Sequence, residues 1–167
     1  SCHLKVKKLI MEKDIIKQFI MKIPFFQSFN DHELSKLIGR EKVFKDCKRG
    51  DYVFKEGDDG SSLYVILLGS IDLVKKGKGG SESIIVQLKK GAVFGEVAML
   101  TGHERNLDAR ASSAKVVVME FTRAKIDKMI PSVQTKFEKQ LLLMMAASMN
   151  SMNSRYEELE TRLSLKK

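Results

Sequence analysis

Hydrophobic and polar positions alternate along this chain with three different textures. From Leu4 to Ile23 the apolar residues Leu9, Ile10, Ile15, Ile16, Phe19 and Ile20 return at helical spacing among lysines, which predicts an amphipathic helix that Pro24 stops. After the Phe25-Phe26 pair, read as core packing, Asn30 or Asp31 can cap a short second helix through Leu37-Ile38 that ends at Gly39. From Glu41 to Glu120 the pattern changes to short β-branched and aromatic runs: Val43-Phe44, Tyr52-Val53-Phe54, Leu63 to Leu68, Ile71 to Val74, Ser83 to Leu88 and Lys115 to Phe121. Glycine turns punctuate them at Gly50-Asp51, Gly57 to Gly60, Gly69-Ser70, Gly77 to Gly80 and Gly91, and this regular spacing predicts a β-barrel or roll rather than a parallel sheet with crossover helices. Beyond Thr122 the helical period returns. Thr122 can cap a short helix ending near Ile130, and Pro131 opens a long helix over about 132–163. Its apolar stripe comprises Phe137, Leu141, Met144, Met145, Met149, Met152, Tyr156, Leu159 and Leu163.

Composition narrows the function classes. With 167 residues, 43% of them hydrophobic, the chain can bury one sizeable core. It holds no run of about 18 apolar residues and its opening Ser1-Cys2-His3 stretch has no signal-peptide core, so a soluble, cytoplasmic protein without a membrane span is expected. A start at Ser rather than Met is consistent with a piece of a longer protein. Cys2 and Cys47 stand alone, far from any clustered histidines, which argues against a disulfide scaffold or structural zinc. The net charge of +9 raises nucleic acid as a partner, but residues 51–100 carry 6 basic against 7 acidic side chains, so the excess lies in the two flanks. Three tyrosines and no tryptophan offer little base stacking, and DNA is not an expected partner of this chain alone.

The candidate chemistry lies in Phe94-Gly95-Glu96-Val97-Ala98-Met99-Leu100, with Arg105 following nine residues after the glutamate. A glycine permits close backbone approach, the apolar run opens a helix whose free N–H groups attract an anion, and one arginine neutralises a phosphodiester. A triphosphate would call instead for a longer glycine-rich loop and a metal. No catalytic constellation accompanies this segment: His3, His32 and His103 lie apart, no serine sits in a nucleophile elbow, and no metal site or cofactor is expected. The chain therefore reads as a binding module rather than an enzyme.

Further motifs accompany the segment in order: the Pro24-Phe25-Phe26 entry, Gly50-Asp51-Tyr52-Val53-Phe54 before Glu56-Gly57-Asp58, and Leu63-Tyr64-Val65-Ile66 before Gly69. Together they resemble the cyclic-nucleotide-binding domain shared by the catabolite activator protein, the regulatory subunits of the cAMP-dependent kinase and gated channels. With the pattern above, the resemblance implies an α+β fold, an antiparallel, jelly-roll-like β-roll flanked by N-terminal helices and a long C-terminal helix. The helical segment would span 1–40 and the roll 41–121, with a phosphate-binding cassette at 94–111. Lid or dimerisation helices would span 122–167. The resemblance implies that Gly95 and Glu96 meet the ribose, that the N–H groups at Val97 and Ala98 face the phosphate, and that Arg105 pairs with its charged oxygen. Asn106 and Leu107 complete the expected ligand-binding set, while Phe94 and Leu100 are expected in the core and Arg110 in solvent.

The chain departs from the family pattern after the arginine, where Asn106-Leu107-Asp108-Ala109 replaces a small residue, Ala, and Thr or Asn. Asn106 lacks the hydroxyl that cyclic GMP binders often place there, so cyclic AMP is slightly favoured over cyclic GMP as the ligand. The implied function is a regulatory sensor that binds a cyclic nucleotide and relays it through its C-terminal helices, with a homodimer through the last helix and an attached effector as candidate partners. Two alternatives stand beside it. One is a degenerate domain of the same fold that acts as an interaction module, motivated by Leu107 and Asp108; the other is a fragment of a transcription regulator.

Overall fold

Proline and glycine punctuation sets most of the element boundaries. The computed structural model describes residues 16–39, 43–77 and 79–165. Residues 1–15, with Cys2, His3 and most of the stretch expected to form the first helix, lie outside the described residues, as do 40–42, 78, 166 and 167. Residues 16–21 are helical (α1), and Pro24–Phe26 forms a 3₁₀ turn that buries both phenylalanines. The helix α2, Asp31–Ile38, begins with a capping box in which the Asn30 side chain accepts from Glu33 N–H and Glu33 accepts from Asn30 N–H. Asn30, rather than Asp31, is the cap.

Eight strands are formed among the described residues: β1 Phe44–Lys48, β2 Tyr52–Phe54, β3 Ser62–Leu68, β4 Ser70–Lys76, β5 Glu82–Lys89, β6 Val93–Phe94, β7 Asp108–Ala111 and β8 Lys115–Thr122. They make two four-stranded antiparallel sheets, ordered β1-β8-β3-β6 and β2-β7-β4-β5. Between the sheets lies a core that includes Phe54, Tyr64, Ile66, Ile71, Phe94, Ala109 and Val118. Each of the larger side chains among them, Phe, Ile or Val, contributes about 1.5–3 kcal/mol on burial. A second cluster joins the leading segment to the roll, where Phe26 packs 6.1 Å from both Phe29 and Phe121.

The short helix α3, Glu96–Thr101, interrupts the strands between β6 and β7. Strand β8 runs into α4, Arg123–Asp127, whose Thr122 cap accepts from Lys125 N–H, and this helix closes earlier than the expected Ile130. Two strands escape the hydrophobic pattern. β6 has only two residues, and β7 reads Asp-Ala-Arg-Ala, without a β-branched side chain, because its small alanines fit the interior where bulk is supplied from the facing strands.

The described residues form two compact units, one up to Met129 and one from Ile130. The second unit is the helix α5, Pro131–Ser164, with Pro131 in its first turn. Val133, Phe137 and Leu141 are buried, Met144 and Met145 are half-buried, and Met149, Met152, Tyr156, Leu159 and Leu163 are exposed. The expected stripe is thus continuous in sequence but changes from buried to exposed along the helix. No helix among the described residues is long and apolar enough to cross a membrane.

Candidate functional site

The site grows from the end of β6. Phe94 pairs with Tyr64 of β3, which anchors the chain in the core, and Gly95 then turns it into α3 with φ +79°. An L side chain is disfavoured in that conformation. Space excludes one too, since a Cβ on Gly95 would stand 2.7 Å from Arg105 Nη1 and 3.2 Å from the Ser62 carbonyl oxygen. Close backbone approach at this glycine serves the arginine.

Arg105 is drawn into the roll. Its side chain donates from Nη1 to the Gly95 carbonyl and from Nη2 to the Ser62 carbonyl, each at 2.6 Å, and its guanidinium carbon lies 4.2 Å from the centre of the Phe54 ring. The residue is 3% exposed, yet among the described residues no carboxylate is in ion-pair contact with it, and its Nε is buried without a partner. Burial accordingly pushes the guanidinium below its ordinary pKa, against a partial restoring field from Tyr64, Asp59, Asp58 and Glu120. It remains a cation.

The other expected residues fall around this charge. Glu96 opens α3, half-buried, and burial raises its carboxyl pKa although its own N–H and the Arg105 charge act in the opposite direction. Ala98 is buried, Val97 is 50% exposed, and both lie in the first turn, where helical N–H groups have no intrahelical acceptor. Asn106 is exposed and Leu107 half-buried. Phe94 is in the core as expected, whereas Leu100 is 42% exposed, because six residues of helix turn it outward. Arg110 does not simply point to solvent. It is half-buried and its Nη1 donates to Glu82 Oε2 at 2.7 Å across the sheet.

Sequence reasoning missed three contributors: the Phe54 ring, the Ser62 carbonyl, and Asp108. A backbone carbonyl has no sequence signature, and Phe54 is indistinguishable from any other strand aromatic. Asp108 reads as a negative charge set near an anion site, but its carboxylate is fully buried and engaged. Oδ1 accepts from Glu56 N–H at 2.7 Å and Lys76 Nζ lies 2.8 Å from Oδ2, an ionic contact whose alignment falls short of a hydrogen bond. Burial would raise its pKa, and Lys76 together with the Glu56 N–H outweighs this and holds it low. Among the described residues no group of His, Cys, Asp or Glu is arranged to hold a metal, and Cys47 is a free, half-buried thiol.

Residues 44–132 match the family model described as the cyclic nucleotide-binding domain. The cAMP-dependent protein kinase regulatory subunit of Mycosarcoma maydis is 30% identical over 117 residues, covering 67% of this chain and 22% of that protein. The chain therefore spans about a fifth of the length of that curated relative. Among solved structures, a cyclic nucleotide-binding domain from Methylobacillus flagellatus shares the fold with a TM-score of 0.68 at 23% identity, over 83% of this chain and 78% of that one. The regulatory subunit of a cAMP-independent protein kinase A from Trypanosoma brucei gives 0.66 at 24% identity, over 92% and 52%.

Proposed function

The chain belongs to the cyclic nucleotide-binding domain family, and on that premise we propose that it is a regulatory sensor module whose ligand is a cyclic nucleotide, with cyclic AMP favoured over cyclic GMP. One observation carries the reading: Arg105 is a buried cation without a carboxylate partner, its Nε free, beside the open N-terminus of α3. A cyclic phosphodiester brings a single negative charge, which such a guanidinium and the first-turn N–H groups at Val97 and Ala98 can offset. Glu96 as carboxylate accepts from a ribose hydroxyl next to Gly95, and Asn106 and Leu107 border the ligand. The chemistry is binding rather than catalysis. Ligation acts on an effector only if two states of the protein bind the nucleotide unequally, and α5 is the element assigned to relay that difference. Isothermal calorimetry with cyclic AMP and cyclic GMP tests the reading; folded protein that binds neither at high micromolar concentration refutes it.

The proposal includes a homodimer through α5. Leu142, Met145, Met149, Met152, Tyr156, Leu159 and Leu163 alternate at spacings of three and four, the seam of a two-stranded coiled coil, and all but Met145 are more than half exposed. Arg155 and Glu160, five residues apart and flanking this seam, fit the cross-helix ion pair of a parallel, in-register pair. Light scattering on the full chain reads a dimer that Met152→Lys dissociates. A wild-type monomer at the highest soluble concentration removes this part of the proposal.

A second reading, a domain of this fold that interacts with proteins and no longer binds the nucleotide, is favoured by two observations. Both terminal nitrogens of Arg105 already have carbonyl partners, and the bulky Leu107 follows the arginine. Mass spectrometry of protein purified from cells and then denatured separates the two readings, since a released cyclic nucleotide is incompatible with the second.

A further inference from the structure

Arg105 sits in the stretch 102–107, which has neither helix nor strand between α3 and β7, apart from the helix's C-cap at Gly102. Yet its guanidinium reaches two specific carbonyls, which requires the backbone to be fixed closely. A long, rotamer-rich side chain on a free loop would lose that placement to entropy. The turn after β2 supplies the constraint. Gly57 N–H donates to the Arg105 carbonyl and Arg105 N–H donates to the Asp58 carbonyl, each at 2.9 Å. One step away, Glu56 N–H donates to Asp108 Oδ1 at 2.7 Å. Two adjacent lysines at the end of β4 close the seam from its side. Lys75 Nζ meets Glu56 Oε1 at 2.6 Å and the Asn106 carbonyl at 3.0 Å, and Lys76 Nζ meets Asp108 Oδ2 at 2.8 Å. Turn 56–58, segment 105–108 and β4 thus meet in one polar cluster.

We propose that Asp108, Lys75 and Lys76 form a positioning cluster for Arg105, locking turn 56–58 to segment 105–108 so that the arginine is held in place before an anionic ligand arrives. The inference rests on the cyclic-nucleotide reading given above. The carboxylate is the central member. A buried Asp charge is not tolerated alone, so Lys76 is required beside it, and together they bind the two segments more tightly than a neutral hydroxyl or amide at this position would. Asp108 therefore serves the phosphate site rather than repelling its ligand: its charge is neutralised by Lys76, and its geometry sets where Arg105 starts. None of the three side chains needs to touch the nucleotide. Pre-organisation of this kind raises affinity by removing the ordering cost from the binding step.

The test compares wild type with Lys75→Met, Lys76→Met, Lys76→Arg and Asp108→Asn by two readouts. The first is the Arg105 Nε–H resonance in ¹⁵N spectra of the ligand-free protein, assigned by its loss in Arg105→Met. The second is calorimetric affinity for cyclic AMP. Lys76→Met and Asp108→Asn are expected to move the resonance and weaken binding by about tenfold, with Lys76→Arg restoring both. In the Arg105→Met background, Asp108→Asn is expected to add no further loss. A resonance that stays in place and affinities within about twofold of wild type overturn the proposal while leaving the sensor reading intact. Wild-type protein that binds neither cyclic AMP nor cyclic GMP overturns the sensor reading, and the proposal with it. If Asp108→Asn or Lys76→Met fails to fold, Lys75→Met decides the question and is expected to move the resonance and weaken binding likewise, because the Lys75 side chain is 47% exposed, its partner Glu56 is 35% exposed, and its removal leaves no buried charge unpaired.

Discussion

Two arginines five residues apart meet opposite fates: Arg105 in the turn before β7, Arg110 within β7. Arg110 stands opposite Tyr52 and reaches Glu82, and the hydrogen bond to that carboxylate is the main reason its pKa is raised. Arg105 is almost wholly buried, rests on two carbonyls and the face of Phe54, and has its pKa lowered by burial. The strand arginine is already neutralised within the sheet. The turn arginine carries a charge that no acid pairs directly and whose desolvation the fields of Asp59, Asp58 and Glu120 offset only in part, so an incoming anion gains there what it could not gain at Arg110. Exposure alone would point to the wrong residue.

The largest effect that separates the two is loss of ligand. Arg105→Met is expected to weaken cyclic AMP by about 100-fold or more in calorimetry, while its ligand-free stability in urea stays within about 1 kcal/mol of wild type, because a hydrophobic side chain replaces an unpaired buried charge. Retained affinity would erase the distinction between the two arginines. Next comes Gly95→Ala, which combines a left-handed backbone with a Cβ 2.7 Å from Arg105 Nη1 and should lower the urea-unfolding free energy by about 1–2 kcal/mol. The same change should displace Arg105 and reduce affinity. At the small end, Arg110→Met removes a partly exposed ion pair and should change stability by no more than about 1 kcal/mol, leaving ligand affinity unchanged.

The two carboxylates near the arginine sharpen the contrast through pH. Asp108 has a folded pKa below its ordinary value, so its contribution to stability is present above the unfolded carboxylate pKa and is lost as pH falls through the lower folded one. Glu96 has a raised pKa, so its contribution is present below the unfolded value and is lost as pH rises through the folded one. Asp108→Asn should therefore flatten the acid limb of a stability profile, and Glu96→Gln should relieve a penalty that develops toward neutral pH. Binding runs the other way at Glu96. In the proposed role its carboxylate form would accept from the ribose hydroxyl, so cyclic AMP affinity should rise as pH increases through the elevated pKa, and a flat profile in wild type would remove the ribose role.

The elements legible in the sequence are those whose signal is local. Asn30 and Thr122 cap the helices their positions predict, Pro131 opens α5, and the strands from Tyr52 to Leu88 follow their β-branched runs. Strands β6 and β7 were not legible. Two residues and an Asp-Ala-Arg-Ala run carry no periodicity, and they become strands because Tyr64 and Leu73 offer them partners across the sheets. The site divides in the same way. The glycine, the glutamate and the nine-residue interval to Arg105 are visible as a motif, whereas the exposed Leu100 and the Glu82 partner of Arg110 depend on which way each side chain finally turns.

By itself the sequence determined that a roll carries a glycine-opened helix with an arginine set behind it, because turn chemistry, capping and hydrophobic period act within a few residues. Tertiary structure decided that Arg105 enters the core without an acid and that Asp108 is neutralised by Lys76. Those outcomes join residues separated by up to about 50 positions, through the pairing of β2 and β4 with β7, and a charge's burial and partners exist only after that pairing has formed.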